Sequence, residues 1–139
     1  MQIREITLQE LDIAYALVQE LRSALSYEEF ENLIYDMRHE EYKMFGIFEK
    51  DALIVYSGLK VQVNLYHQRH IFVDDLITKQ THRFQGYGKE MLLYIDDYAK
   101  INMCNKVVLN SGFQRSDAHH FYENYGYEKK SFVFVKELN

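Results

Sequence analysis

The period of the apolar residues changes several times along this chain, and each change marks an element. Gln2 to Ile6 alternate and predict a short first strand. Thr7 follows, with Glu10 three residues on, the spacing of a capping box at a helix start. Leu11, Ala14, Tyr15, Val18, Leu21 and Leu25 then recur at steps of three and four, which predicts a helix with one apolar face. Ser26 or Tyr27 opens a second helix, buried along Phe30, Leu33, Ile34 and Met37. From Tyr42 to Thr78 the texture turns to Val, Ile, Tyr and Phe, and three antiparallel strands are predicted over 42–49, 53–65 and 71–78. Lys50-Asp51 and residues 66–70 are the turns between them. Gly58 inside the long middle strand marks a bulge. Helical spacing returns from Gly88 to about Asn102, with Met91, Leu92, Ile95, Tyr98 and Ala99 inward. A short apolar strand over 106–110 and a helix over 117–125 follow, the helix ended by Gly126 in the left-handed conformation. Tyr127 to Leu138 alternate as a closing strand. The order β α α β β β α β α β, with a parallel crossover around the third helix, predicts a single α/β (α+β) domain over 1–139.

Composition narrows the classes of partner. The chain has 139 residues, no proline and six scattered glycines, so no linker interrupts it. Sixteen basic against 21 acidic residues give a net charge of −5. That balance argues against a nucleic-acid binder, whose affinity comes from neutralising phosphates. No apolar run is long enough to cross a membrane, and the N-terminus carries no secretory pattern. A single cysteine, Cys104, forms no internal disulfide. A cytoplasmic protein without membrane association is expected.

Chemistry concentrates in Arg83-Phe84-Gln85-Gly86-Tyr87-Gly88-Lys89, between a predicted strand and a predicted helix. Gly86 and Gly88 let backbone approach a ligand and tolerate positive φ. The N–H groups of Gly86, Tyr87, Gly88 and Lys89 stand at a helix start, where the dipole adds partial positive charge. Together with Arg83 and Lys89 they form a candidate pyrophosphate cradle. The competing reading is a tight turn that uses glycine for geometry alone. The motif is neither a Walker loop nor a complete dinucleotide fingerprint, because Met91 stands where a third glycine belongs.

Asp75-Leu76-Ile77-Thr78 followed by Arg83-x-x-Gly86-x-Gly88 resembles the acetyl-CoA signature of the GNAT N-acetyltransferases. The resemblance implies their fold, a mixed central sheet whose fourth and fifth strands splay to form the cleft. It also implies that Leu76, Ile77 and Thr78 line the pantetheine arm while Arg83 and Gln85 through Lys89 hold the phosphates. Lys79-Gln80 stands where the family often has Asp-Pro. A second match lies in Asp117-Ala118-His119-His120-Phe121-Tyr122 with Gly126-Tyr127, similar to the family's A-x-x-[FL]-Y-x-x-x-G-[FY]. It implies that Tyr122 is the general acid that protonates the leaving CoA thiolate; packing on the cofactor is the alternative. Phenol at a reference pKa of about 10 and thiol at about 8.5 make that transfer reasonable once thiolate builds up. Arg115 replaces a family asparagine and is a candidate contact to phosphate or substrate. The wording around Arg115 and Tyr122 also resembles a subgroup that includes aminoalkylphosphonate acetyltransferases.

The general base is less defined. The family places a glutamate on the fourth strand, where this chain has Phe72. Asp74, two residues on and on the same face of a regular strand, is the candidate. Asp75 then points to the other face and braces the turn. Ordered water draining to solvent, with no dedicated base, is the alternative.

Other features read as packing. The histidines lack metal-ligand spacing, so no metal site is expected, and His67 or His70 is at most an anion contact beside the cleft. The acidic second helix is a solvated face, or a lobe that attracts a cationic amine. Cys104 has no cationic neighbour in sequence to activate it. The expectation is transfer of an acetyl group from acetyl-CoA, the co-substrate, to a primary amine of a small molecule or protein. A final strand pairing with its twin would give a homodimer. The rivals are a non-catalytic acyl-CoA-binding regulatory module on the same fold, and a protein-binding domain with a chance G-x-G.

Overall fold

The computed structural model describes all 139 residues, which divide into two compact units, Met1–Val108 and Leu109–Asn139. The strands are β1 (Gln2–Glu5), β2 (Lys43–Glu49), β3 (Ala52–Asn64), β4 (Gln68–Thr78) and β5 (Lys106–Leu109). The helices are α1 (Leu11–Val18), α2 (Tyr27–Met37), α3 (Tyr87–Ile101) and α4 (Ser116–Asn124). The strands lie in one sheet in chain order, with β1 to β4 antiparallel. Lys50 and Asp51 both take positive φ, 49° and 71°, which suits the tight β2–β3 hairpin turn.

Alternation along the strands sends side chains to two faces. Met44, Phe48, Tyr56 and Ile77 join Leu11, Ala14, Val18, Phe30 and Ile34 in one apolar cluster under α1 and α2. Phe45 turns the other way, its ring 5.4 Å from Tyr94 and 5.1 Å from Tyr98 of α3. Met91, Leu92, Ile95 and Ala99 of α3 are buried, as their spacing predicts.

Three expectations change. The first helix ends at Val18, although Leu21 and Leu25 still pack on the core from an irregular connection. Leu33 is 45% exposed, outside the stripe formed by Phe30 and Ile34. Residues 127–139 form no strand, and Phe132, Phe134 and Val135 are exposed. An alternating segment becomes a strand only where a neighbour supplies its hydrogen bonds. The strand on which pairing with a second copy rested is therefore not formed.

The first helical turn carries a pH-sensitive anchor. The Glu10 carboxylate accepts from Thr7 N–H at 3.0 Å and from Arg4 Nη1 and Nη2, at 3.0 and 2.8 Å. The hydrogen bond from Arg4, then that from Thr7, lowers its pKa from 4.5 to about 2. The unfolded chain therefore binds more protons there between these values, and stability rises with pH across that window. This contribution is complete above about pH 5 and lost as pH falls through the folded value. Denaturant midpoints measured from pH 5 to 2 should fall less in Glu10→Gln than in the parent.

Candidate active site

The β3–β4 ladder breaks register at one point. Gly58 pairs with Asp75 and Leu59 pairs with Val73, so Asp74 is an extra residue bulged out of β4. Bulges re-aim side chains and are enriched beside active sites. This one corrects the expectation that Asp75 points away from Asp74. Both carboxylates enter one charged cluster with Arg22, Lys60 and Glu40.

Asp75 is the brace. Its Oδ1 accepts from Arg22 Nε at 3.1 Å and Nη2 at 2.9 Å, and its Oδ2 accepts from Tyr42 Oη at 2.9 Å. Its carbonyl accepts from the buried Ser57 hydroxyl at 3.0 Å. Tyr42 has one proton and gives it to Asp75, so the Tyr56 hydroxyl, 2.9 Å away, donates to the Tyr42 oxygen. Burial, then the neighbouring Tyr56 and Asp75, hold the Tyr42 phenol well above the ordinary tyrosine range, which keeps that donor in place.

Gly58 is required for this arrangement. A Cβ there would fall on the Tyr42 hydroxyl and ring, with Cε2 only 2.7 Å away. Gly58→Ala must displace either the ring or the bulge. We expect a loss of about 1–3 kcal/mol, the usual cost of overpacking, read as a lower denaturant midpoint with an unchanged slope.

Asp74 differs from its neighbour. Its Oδ2 is buried without a hydrogen bond, with Lys60 Nζ at 3.9 Å. Burial raises its pKa, Lys60 opposes that, and Asp75 and Glu40 add to it. A carboxylate with a raised pKa is better matched to proton transfer near neutrality. Phe72 is half-buried, with Lys60 Nζ 6.0 Å from its ring centre.

Past the bulge, Leu76, Ile77 and Thr78 pair with Ser57, Tyr56 and Val55. Ile77 is buried in the core, whereas Leu76 and Thr78 are half-exposed. A tight turn over 80–82 leads to Arg83, whose Nε donates to the Thr78 carbonyl at 3.2 Å. Gly86 precedes α3 with φ 88° and ψ 1°. Nothing lies within 4 Å of where its Cβ would stand, and no side chain caps the helix. The first N–H groups of α3, at Tyr87, Gly88 and Lys89, thus have no partner within the helix. Gln85 and Lys89 are exposed beside them. Uncapped N–H groups, a glycine open to solvent and adjacent cations fit a phosphate-bearing ligand.

In the second unit, Arg115 is exposed at the start of α4, where its N–H donates to the Gly112 carbonyl at 3.1 Å. Tyr122 is half-buried on α4, its ring centre 5.5 Å from Phe121 and 5.6 Å from Tyr127. Its carbonyl accepts from the Tyr125 and Tyr127 N–H groups, and Gly126 takes φ 93°. Burial raises the Tyr122 phenol, partly countered by Arg115. The phenol therefore stays protonated near neutral pH.

His70 is not an anion contact. It is fully buried, with Nδ1 2.8 Å from the Gln68 carbonyl and Nε2 3.1 Å from Gln62 Oε1. Cys104 is buried beside the Asn102 carbonyl. Arg22, Glu20, Tyr42 and Tyr56 escape sequence reasoning. Gly58 hints at Tyr42 alone, and the partners of Glu20 and Arg22 lie 60 and 53 residues away.

The acetyltransferase (GNAT) family model matches residues 7–127, and the chain belongs to that family. It is an enzyme of the acetyl-CoA-dependent N-acetyltransferase class. Similar proteins include the uncharacterized N-acetyltransferase YhdJ of Bacillus subtilis, 34% identical over 127 residues that cover 90% of this chain and 89% of the relative. An aminoalkylphosphonate N-acetyltransferase of Salmonella typhimurium is 27% identical over 144 residues, covering 99% of this chain and 91% of that protein. Among solved structures, an aminoglycoside N-acetyltransferase in complex with CoA matches with a TM-score of 0.87 at 10% identity, over 99% of this chain and 93% of that chain. A ribosomal-protein-alanine N-acetyltransferase from Brucella melitensis matches with a TM-score of 0.83 at 18% identity, over 99% and 98%. No helix is long and apolar enough to cross a membrane.

Proposed function

We propose that residues 1–139 act as one N-acetyltransferase domain that transfers the acetyl group of acetyl-CoA to a primary amine by direct attack in a ternary complex. The observation that carries this reading is the uncapped start of α3 behind the left-handed Gly86, reached directly from the bulged β4. The backbone of Leu76, Ile77 and Thr78 lines the pantetheine arm, while the Ile77 side chain stays in the core. Arg83, Gln85, Gly86, Tyr87, Gly88 and Lys89 hold the phosphates, and Arg115 adds a contact. The amine nitrogen attacks the thioester carbon, its proton passes to Asp74, and the C–S bond breaks as the C–N bond forms. A β4 backbone N–H polarises the carbonyl. Tyr122 delivers a proton to the departing thiolate. Holding the two substrates together supplies much of the rate.

The Asp74 oxygen buried without a hydrogen bond, and the raised pKa that persists beside Lys60, support the base role. A base works ionised, so kcat/KM should rise with pH through a value above the ordinary aspartate range. Asp74→Asn should remove that limb and lower kcat about 100-fold or more. An unaltered profile assigns deprotonation to water.

The test of the reading is acetyl transfer to a panel containing an aminophosphonate, a polyamine, an amino acid and a peptide N-terminus. N-acetyl product, identified by mass spectrometry, is expected from at least one. Tight acetyl-CoA binding without any product would instead fit a non-catalytic acyl-CoA-binding module.

A further inference from the structure

The connection between α1 and α2 touches the site at two places. Glu20 Oε1 accepts from the Gln80 backbone N–H at 3.0 Å and stands 4.0 Å from Arg83 Nη2. It thus holds the segment that leads into the glycine turn. Arg22, two residues on, donates through Nε and Nη2 to Asp75 Oδ1, and through Nη2 to the Asp74 carbonyl at 3.2 Å. It thus holds the bulge. The two partners lie at opposite ends of the Asp74–Arg83 stretch, which joins the candidate base to the phosphate turn. Both side chains are partly exposed, with Arg22 at 50% and Glu20 at 30%.

We propose that this connection is a two-point clamp, in which Glu20 is a positioning residue for acetyl-CoA and Arg22 a positioning residue for the acceptor amine. The assignment rests on the acetyltransferase reading above. Glu20 fixes the Gln80 backbone and keeps Arg83 aligned along β4, which sets the approach of the glycine turn to the phosphates. Arg22 fixes both carbonyl and carboxylate at the bulge, which sets the direction of Asp74. Displacements of about 1 Å at such points cost up to about 100-fold in rate.

The clamp predicts a crossed kinetic pattern. Glu20→Ala should raise the acetyl-CoA Kd about ten-fold while leaving the KM of the best amine from the panel within about two-fold. Arg22→Ala should do the reverse, lowering kcat/KM for the amine about ten-fold at an unchanged acetyl-CoA Kd. Glu20→Gln keeps an acceptor for the Gln80 N–H and should restore most of the affinity. Arg22→Lys keeps charge without the two-nitrogen geometry and should restore only part of the rate. Variants that match the parent, or that both move the same parameter, would overturn the clamp. Amide hydrogen exchange on the same proteins, without ligand, separates this from a failure of the acetyltransferase reading. Faster exchange at Gln80 in Glu20→Ala and around Asp74–Asp75 in Arg22→Ala is expected even if the parent binds no acetyl-CoA. Unchanged exchange would overturn the clamp whatever the activity.

Discussion

Gly86→Glu should abolish acetyl-CoA binding while the protein stays folded. Gly86 has φ 88° and open space around the position of its Cβ. A Cβ there meets nothing within 4 Å beyond the neighbouring residues, and the left-handed conformation costs a non-glycine residue about 1–2 kcal/mol. That is a tolerable loss for a domain stabilised by about 5–15 kcal/mol. The ligand fares worse. The new carboxylate stands where the phosphates are proposed to lie, before the uncapped N–H groups of Tyr87, Gly88 and Lys89, and it competes for the same dipole. An affinity loss of at least about 100-fold is expected, near 2.7 kcal/mol. Gly86→Ala carries the conformational penalty without the charge and should lose much less. Calorimetry with thermal unfolding as a control measures both. Unchanged affinity in Gly86→Glu would leave the glycine turn as a turn only.

Tyr122→Phe should lower kcat by about ten-fold or more with little change in acetyl-CoA affinity, because general acid catalysis commonly supplies about 100-fold or more. The substitution removes one oxygen and keeps the ring that packs beside Phe121 and Tyr127. Burial raises the phenol, so it meets the leaving group still carrying its proton. The thiolate is the weaker base, at about 8.5 against about 10, so the proton moves only as negative charge builds up on sulfur beside the phenol. The loss should be smaller with an acyl donor whose thiol has a lower pKa, since that leaving group needs less protonation. Near-normal kcat with acetyl-CoA would remove the acid role and leave Tyr122 as packing.

The helices and antiparallel strands were legible because their apolar periods report burial directly. The same property explains the misreading after Val18. Leu21 and Leu25 are packed on the core, so the helical spacing continued in sequence after the helix itself had ended. The final alternating segment shows the converse, since a strand needs a neighbour as well as a pattern. Gly58 pointed to a bulge, and its cause is the Tyr42 hydroxyl lying where a Cβ would be. What the bulge does to Asp74 and Asp75 was not legible, because alternation assumes an unbroken register. The glycine turn was readable from local residues alone. Glu20 and Arg22 were not, because their bonds to Gln80 and Asp75 span 60 and 53 residues.

Calorimetric titration of the purified protein with acetyl-CoA tests the central claim most directly. The account predicts one site of micromolar affinity. Absence of binding at high micromolar acetyl-CoA would contradict it, leaving the fold in place and the proposed site without its ligand.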